Sequence, residues 1–165
     1  MPAMDIRDAR ADDWPAIWPI FAAVVRAGET YAYDTDMGFD DGRALWMEGP
    51  PNRVAVAVAD DGTIHGTSKM GANRGGNGAH VATASFMVAE DARGQGVGRA
   101  LGEDAIAWAA DAGFRAMQFN AVVASNTAAV ALWQSLGFAI VGTVPEAFAS
   151  PSHGYVGLHV MLRAL

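Results

Sequence analysis

One run of seventeen residues restricts the fold of this chain more than any other. Residues 85–101 read Ser-Phe-Met-Val-Ala-Glu-Asp-Ala-Arg-Gly-Gln-Gly-Val-Gly-Arg-Ala-Leu. An apolar, strand-like stretch ends near Ala89, and Gly94, Gly96 and Gly98 then alternate between Arg93 and Arg99. A helical spacing through Val97, Leu101, Ala105 and Trp108 begins at once. Strand, glycine turn and helix start are the parts of an anion site, because glycines admit close backbone approach and the first-turn N–H groups of a helix have no partner of their own. A Walker loop needs Gly-x-x-x-x-Gly-Lys-Ser/Thr, and the only lysine here is Lys69. A dinucleotide fingerprint, Gly-x-Gly-x-x-Gly, would need glycine where Arg99 or Leu101 stands. The pattern that survives is Arg/Gln-x-x-Gly-x-Gly/Ala, met by Arg93, Gly96 and Gly98.

The rest of the chain sets the frame for that turn. Its 165 residues, 52% hydrophobic and 18% charged, describe one compact domain with a substantial core. No apolar run reaches 18 residues, and the N-terminus lacks a basic-then-apolar leader, so no membrane span and no secretion signal are expected and a cytoplasmic location is. With no cysteine there is no disulfide, thiolate site or cysteine nucleophile, and the four histidines show no metal spacing. Residues 1–62 carry 12 acids and 5 bases, whereas residues 63–165 carry 6 of each. A nucleic-acid partner is therefore not expected, and an anionic ligand must be held by local geometry.

In order, the pattern predicts a strand at residues 4–9 and a helix capped by Asp12 or Asp13 that ends near Gly28. A polar and aromatic segment, 29–34, is followed by a second helix at 40–48 and a break at Gly49-Pro50-Pro51-Asn52. Strands at 53–59 and 63–72 join through an Asp-Asp-Gly turn. After a loop at 73–78 come the strand 81–89, the glycine turn and a helix to 112. A strand at 115–123, a helix at 126–136, a strand at 138–144, a loop at 145–154 and a strand at 155–162 complete a single mixed α/β domain.

The Arg93–Gly96–Gly98 turn resembles the acyl-CoA pyrophosphate loop of the GCN5-related N-acetyltransferases, the GNAT superfamily. A second segment, Asn-Thr-Ala-Ala-Val-Ala-Leu-Trp-Gln-Ser-Leu-Gly-Phe at 126–138, resembles that family's Asn-x-x-Ala-x-x-Leu-Tyr-x-x-x-Gly-Phe. The resemblance implies an α/β (α+β) acyl-CoA acyltransferase fold: a mixed, mostly antiparallel sheet of six to seven strands flanked by four helices. It implies acetyl-CoA as co-substrate, with no metal. Its pyrophosphate would lie on Arg93, Gly94, Gln95, Gly96, Val97, Gly98 and Arg99, and its pantetheine arm along Met87 and Val88. Asn126, Ala129 and Trp133 would meet the arm and the sulfur. The family's tyrosine, whose hydroxyl points at the sulfur, is replaced here by Trp133. A thiolate with a conjugate-acid pKa of about 8.5 can leave with little help, so a reduced need for a general acid is expected.

Asn120 and Asn126, six apart, together with Phe86 on the preceding strand, are similar to the azetidine-2-carboxylate (proline-analogue) N-acetyltransferases. Glu29-Thr30 and His153-Gly154 resemble the phosphinothricin-type enzymes more distantly. Both groups carry a different residue where Thr83 stands. The comparison implies a small amine-bearing amino acid or analogue as acceptor, with Thr83, Phe86, Asn120 and His153 around it and Asn120 orienting the amine. The Val88 N–H would stabilise the oxyanion, and water or Glu29 would take the amine proton. By the residues alone, Phe86 reads as core or substrate wall, Glu29 as solvated carboxylate or base, and Asn126 as helix cap, cofactor contact or both. A non-catalytic acyl-CoA sensor and a protein or peptide N-acetyltransferase remain alternatives on the same fold. A homodimer is expected by analogy only.

Overall fold

The computed structural model describes residues 4–165. A seven-stranded sheet contains β1 (Met4–Asp8), β2 (Arg53–Ala59), β3 (Ile64–Ala72), β4 (Val81–Val88), β5 (Ala116–Val123), β6 (Ala139–Ser150) and β7 (Gly154–Ala164), in the order β1-β2-β3-β4-β5-β7-β6. Helices α1 (Trp14–Ala27) and α2 (Phe39–Trp46) precede β2; α3 (Val97–Asp111) follows β4, and α4 (Thr127–Ser135) follows β5. The expected mixed, mostly antiparallel sheet of six to seven strands with four helices is therefore the fold, with seven strands among the described residues.

The two faces of the sheet follow from period-two alternation. On β2, Val54 and Val56 join the cluster under α1 and α2, while Ala55 and Ala57 face the α3 side. α1 buries a stripe of Trp14, Ile17, Phe21, Val24 and Val25 at helical spacing, and Gly28 ends it with a left-handed φ of 66°. Phe21 anchors this layer. It is fully buried and packs against Trp14, Trp18 and Trp46 at ring separations of 5.6, 5.9 and 5.9 Å. Truncating it to Ala would cost about 3–5 kcal/mol. On the other face small residues decide the geometry: Ala55, Ala57 and Gly66 let α3 sit close, with Leu101 and Ala105 fully buried against the strands.

One expectation fails at the C-terminal hairpin. The sequence pattern reads as a loop at 145–154, and Pro145 there cannot donate to a ladder. Instead β6 continues to Ser150, pairing Phe148 with Val156, Ala149 with Tyr155 and Ser150 with Gly154. An irregularity between Val144 and Phe148 absorbs Pro145 and Glu146, which has φ 51°. β6 is an edge strand, where a missing N–H is tolerated. β7 likewise extends beyond 155–162 in both directions.

The sheet has one discontinuity. Among the described residues β4 and β5 are its only parallel neighbours, and they pair solely at Val81–Ala116 and Ala82–Met117. Beyond these two positions the strands part, and the first of the two cavities described below lies in the gap. No helix among the described residues is long and apolar enough to cross a membrane.

Candidate active site

The parting of β4 and β5 exposes main-chain groups on β4, and the register says which. Ala89 N–H donates to His65 O at 2.8 Å, and Asn73 N–H donates to Val81 O at 2.8 Å. The odd-numbered residues of β4 therefore exchange hydrogen bonds with β3, and the peptide groups of Ala84, Phe86 and Val88 turn away from β3 toward the gap. The Val88 N–H thus faces the opening, as its proposed role requires. Met87 belongs to the other set. Its peptide groups face Thr67, its side chain is buried under α1, and it contributes only to the wall of the second cavity.

Val88 leads through a single 3₁₀ turn, Glu90–Ala92, into the glycine turn. Gly94 and Gly96 adopt φ values of 76° and 82°, a backbone that side-chain-bearing residues resist. Gly96 is the N-cap of α3 and has no side chain to bond the first turn. Helix geometry leaves the N–H groups of Val97, Gly98 and Arg99 without intrahelical partners, and Ala100 is the first to close a turn, onto Gly96 O at 3.0 Å. The bare donors and the positive end of the helix dipole suit a diphosphate. Arg99 is already engaged: its guanidinium donates to Ser135 Oγ at 2.7 Å and lies 3.5 Å from Glu103. Gln95 donates to Asp91 O at 2.9 Å. Arg93 lines the cavity mouth beside Val88.

Two cavities of about 410 Å³ each meet at Thr30, Phe86, Val88 and Asn126. The first occupies the gap between β4 and β5. Its walls are Tyr31, Tyr33, Phe86, Phe119, Trp133 and Phe148, with Thr83, Asn120, Ala129 and Gly98 also lining it. No Asp, Glu, His, Lys or Arg lines it. The second holds Glu29, Arg93, Ser152 and His153 next to Met87 and Val88. Thr83, Phe86, Val88, Asn120, Asn126, Ala129 and Trp133 therefore converge on one space. Glu29 and His153 belong to the adjoining one.

Several polar groups in these walls have hydrogen-bond partners. Asn126 caps α4, its Oδ1 accepting the Ala129 N–H at 3.3 Å, and it also lines both cavities. Asn120 is clasped by Asn73: each side-chain amide donates to the other's oxygen, at 2.6 and 3.2 Å, and Gln118 donates to Asn120 Oδ1 at 3.0 Å. With its oxygen twice engaged, Asn120 keeps one N–H to offer a ligand, which suits an acceptor such as a carboxylate oxygen. Glu29 accepts hydrogen bonds from Ser150 Oγ at 2.5 Å and from Ser152 Oγ and N–H at 2.6 and 3.1 Å. These donors, Ser150 first, hold its carboxyl below the usual glutamate range, so it is a weaker base than a free carboxylate. His153 Nδ1 lies 2.8 Å from Ser152 Oγ. Trp133 is 7% exposed, with Phe86 at 4.7 Å and Phe119 at 4.9 Å between ring centres. Among the described residues no group of three or more His, Cys, Asp or Glu could hold a metal ion.

Sequence reasoning missed three partners: Asn73, which sets Asn120; the Ser150–Ser152 pair, which sets Glu29; and Tyr31. The Tyr31 hydroxyl donates to Phe86 O at 2.6 Å and accepts from Phe86 N–H at 2.9 Å. The signal for Tyr31 was present in the pair of tyrosines, 31 and 33, set among the polar residues of 29–34.

A sheet split beside a bare glycine turn, with a free strand edge between them, is the arrangement that the resemblance to the acyl-CoA acyltransferases implies. The acetyltransferase (GNAT) family model matches residues 4–138. The fission yeast (Schizosaccharomyces pombe) N-acetyltransferase aca1 is 32% identical over 151 residues, covering 82% of this chain and 72% of that protein. A GCN5-related N-acetyltransferase from Kribbella flavida superposes with a TM-score of 0.96 at 62% identity, over 99% of this chain and 98% of that one. A phosphinothricin acetyltransferase from Sinorhizobium meliloti, solved in complex with AcCoA, reaches a TM-score of 0.87 at 25% identity, over 98% of this chain and 88% of that one. The chain belongs to the GNAT acetyltransferase family, and it is an acetyl-CoA-dependent N-acetyltransferase.

Proposed function

We propose that this enzyme acetylates the amine of a small molecule, an amino acid or close analogue with an apolar body, by direct attack in a ternary complex. One observation carries this reading: the β4–β5 gap forms an aromatic-walled cavity free of charged side chains, bounded by the open edge at Val88. A second acidic or basic group on the acceptor would lose hydration there with no counter-charge to replace it. A single carboxylate is different, because it can reach the free N–H of Asn120 at the exposed rim.

Acetyl-CoA would supply the acetyl group as a thioester. Its diphosphate fits the donors of Val97, Gly98 and Arg99 with Arg93 alongside, and its amide-bearing arm fits the free edge at Val88. In this reading the Val88 N–H donates to the oxygen on which negative charge develops. Asn126 and Ala129 flank the arm, and Trp133 with Phe86 shapes the sulfur end. Asn120 and Thr83 orient the acceptor, and alignment of amine and thioester supplies much of the acceleration. The amine proton leaves to water or to Glu29. An amine of pKa 9–10 is only about 0.1–1% neutral at pH 7, a penalty of roughly 3–4 kcal/mol. A rate climbing to the amine's own pKa identifies water as the acceptor of that proton; an earlier plateau identifies an internal base.

The test is free-thiol release from acetyl-CoA across a panel of amines: apolar amino acids and cyclic analogues, acidic and basic amino acids, and short peptides. Turnover confined to the apolar members is expected. Acetylation of peptides alone would replace the reading with a protein-directed enzyme. Binding without turnover on every member would favour an acyl-CoA sensor, the reading that Trp133 in the tyrosine position supports. We further propose a homodimer, located in the cytoplasm; exposed Ile140, Val141 and Val144 on edge strand β6 support the dimer, and sedimentation tests it.

A further inference from the structure

Along the open edge of β4 the same peptide geometry recurs at Ala84, Phe86 and Val88, one repeat every two residues or about 7 Å. An extended ligand carrying amide groups can satisfy such an edge in more than one register, as a strand can. Slipping by one repeat would carry a reacting carbonyl about 7 Å from its donor, far more than acyl transfer tolerates.

One side chain interrupts the repeat. Tyr31 both donates to the carbonyl and accepts from the N–H of Phe86, at 2.6 and 2.9 Å, so that residue has no peptide group left for a ligand. The hydroxyl is held in place by its ring. Tyr31 stacks on Tyr33 at 5.2 Å and 5°, and Tyr33 stacks on the fully buried Phe21 at 6.3 Å and 16°. Burial raises the phenol's pKa well above the ordinary tyrosine range, so the group stays a neutral donor and acceptor wherever the enzyme is assayed.

We propose that Tyr31 is a positioning residue for acetyl transfer: by closing both peptide groups of Phe86 it leaves the Val88 N–H as the donor beside the glycine turn, and so fixes the register of the thioester on β4. This rests on the role proposed for Val88, and the experiment separates the two. Acetyl-CoA carrying ¹³C at the acetyl carbonyl is bound, without acceptor, to the wild type, to Tyr31→Phe and to Ile17→Val, and its infrared band is recorded. Ile17→Val trims the α1 core without touching the edge. The wild type should give one band, lowered from its position in free solution. Tyr31→Phe should give two bands or one broad band as Phe86 competes with Val88. Its kcat should fall roughly ten- to a hundredfold with the acetyl-CoA KM within about threefold. Ile17→Val should keep the single band despite its lower melting temperature.

A single wild-type band with unchanged kcat in Tyr31→Phe overturns the assignment. A rise in kcat overturns it too, since the hydroxyl would then be competing with the thioester for the Phe86 N–H. An unlowered band in the wild type sinks the Val88 role itself, and the assignment with it.

Discussion

Gly66 on β3 lies beneath the first turn of α3, the turn whose N–H groups form the proposed anion site. A Cβ placed there would stand 2.7 Å from Val97 Cγ1, 3.0 Å from Leu101 Cδ1 and 3.1 Å from Met87 O. Because the backbone at Gly66 is not left-handed, alanine is objectionable only for the space it fills. Overpacking of this kind costs about 1–3 kcal/mol, which in a 165-residue domain lowers the melting temperature by about 2–12 °C. Val97→Ala removes the nearest methyl; alone it costs about 2–3 kcal/mol as a buried truncation. The Gly66→Ala/Val97→Ala double variant should be more stable than the sum of the two losses by about 0.5–3 kcal/mol. Calorimetric and urea melts of the four proteins close the cycle. CoA affinity, weakened in Gly66→Ala because the turn is displaced, should recover in the double variant. Losses that add within about 0.3 kcal/mol would refute the packing argument.

Asp13 joins β1 to the start of α1: Arg7 donates to both carboxylate oxygens at 2.8 and 3.0 Å, and the Arg10 N–H donates at 2.6 Å. The Arg7 hydrogen bonds hold its pKa below the ordinary 3.8. A depressed carboxylate stabilises fully above its unfolded value and loses that contribution as pH falls through the folded one. Asp13→Asn should therefore cost about 1–3 kcal/mol at pH 7, with the gap to wild type closing below about pH 4 in pH-resolved denaturant melts. Asn120→Ala should raise the KM for the acceptor about tenfold while acetyl-CoA binding holds, as measured by steady-state kinetics and calorimetry, since Asn120 is placed on the acceptor side. Equal losses in both would contradict that placement.

The glycine turn that carries the proposed anion site was readable because it is local. Strand, glycines and helix start follow one another in sequence, and the structure adds that Gly96 is the left-handed N-cap of α3. Asn126, Ala129 and Trp133 were grouped by the segment's resemblance to the family pattern, and the structure brings them to one cavity wall, Asn126 as the cap of α4 and the other two on it. What sequence could not supply was long-range. Asn73 meets Asn120 across 47 residues, and Ser150 and Ser152 reach Glu29 across more than 120. Tyr31 finds Phe86 across 55. No periodicity encodes such pairings. The extension of β6 through Pro145 was hidden for a related reason: pairing with β7 outweighed the local preference of a proline and a left-handed Glu146 for a loop.

The central claim is that bare main-chain donors at the start of α3, with the open edge at Val88, hold coenzyme A. Titration calorimetry with CoA addresses it directly, comparing the wild type with Gly96→Val. The account predicts one-to-one binding by the wild type, weakened roughly tenfold or more in the variant as charge-assisted hydrogen bonds are lost. No heat from the wild type, or equal affinity in both proteins, would contradict it.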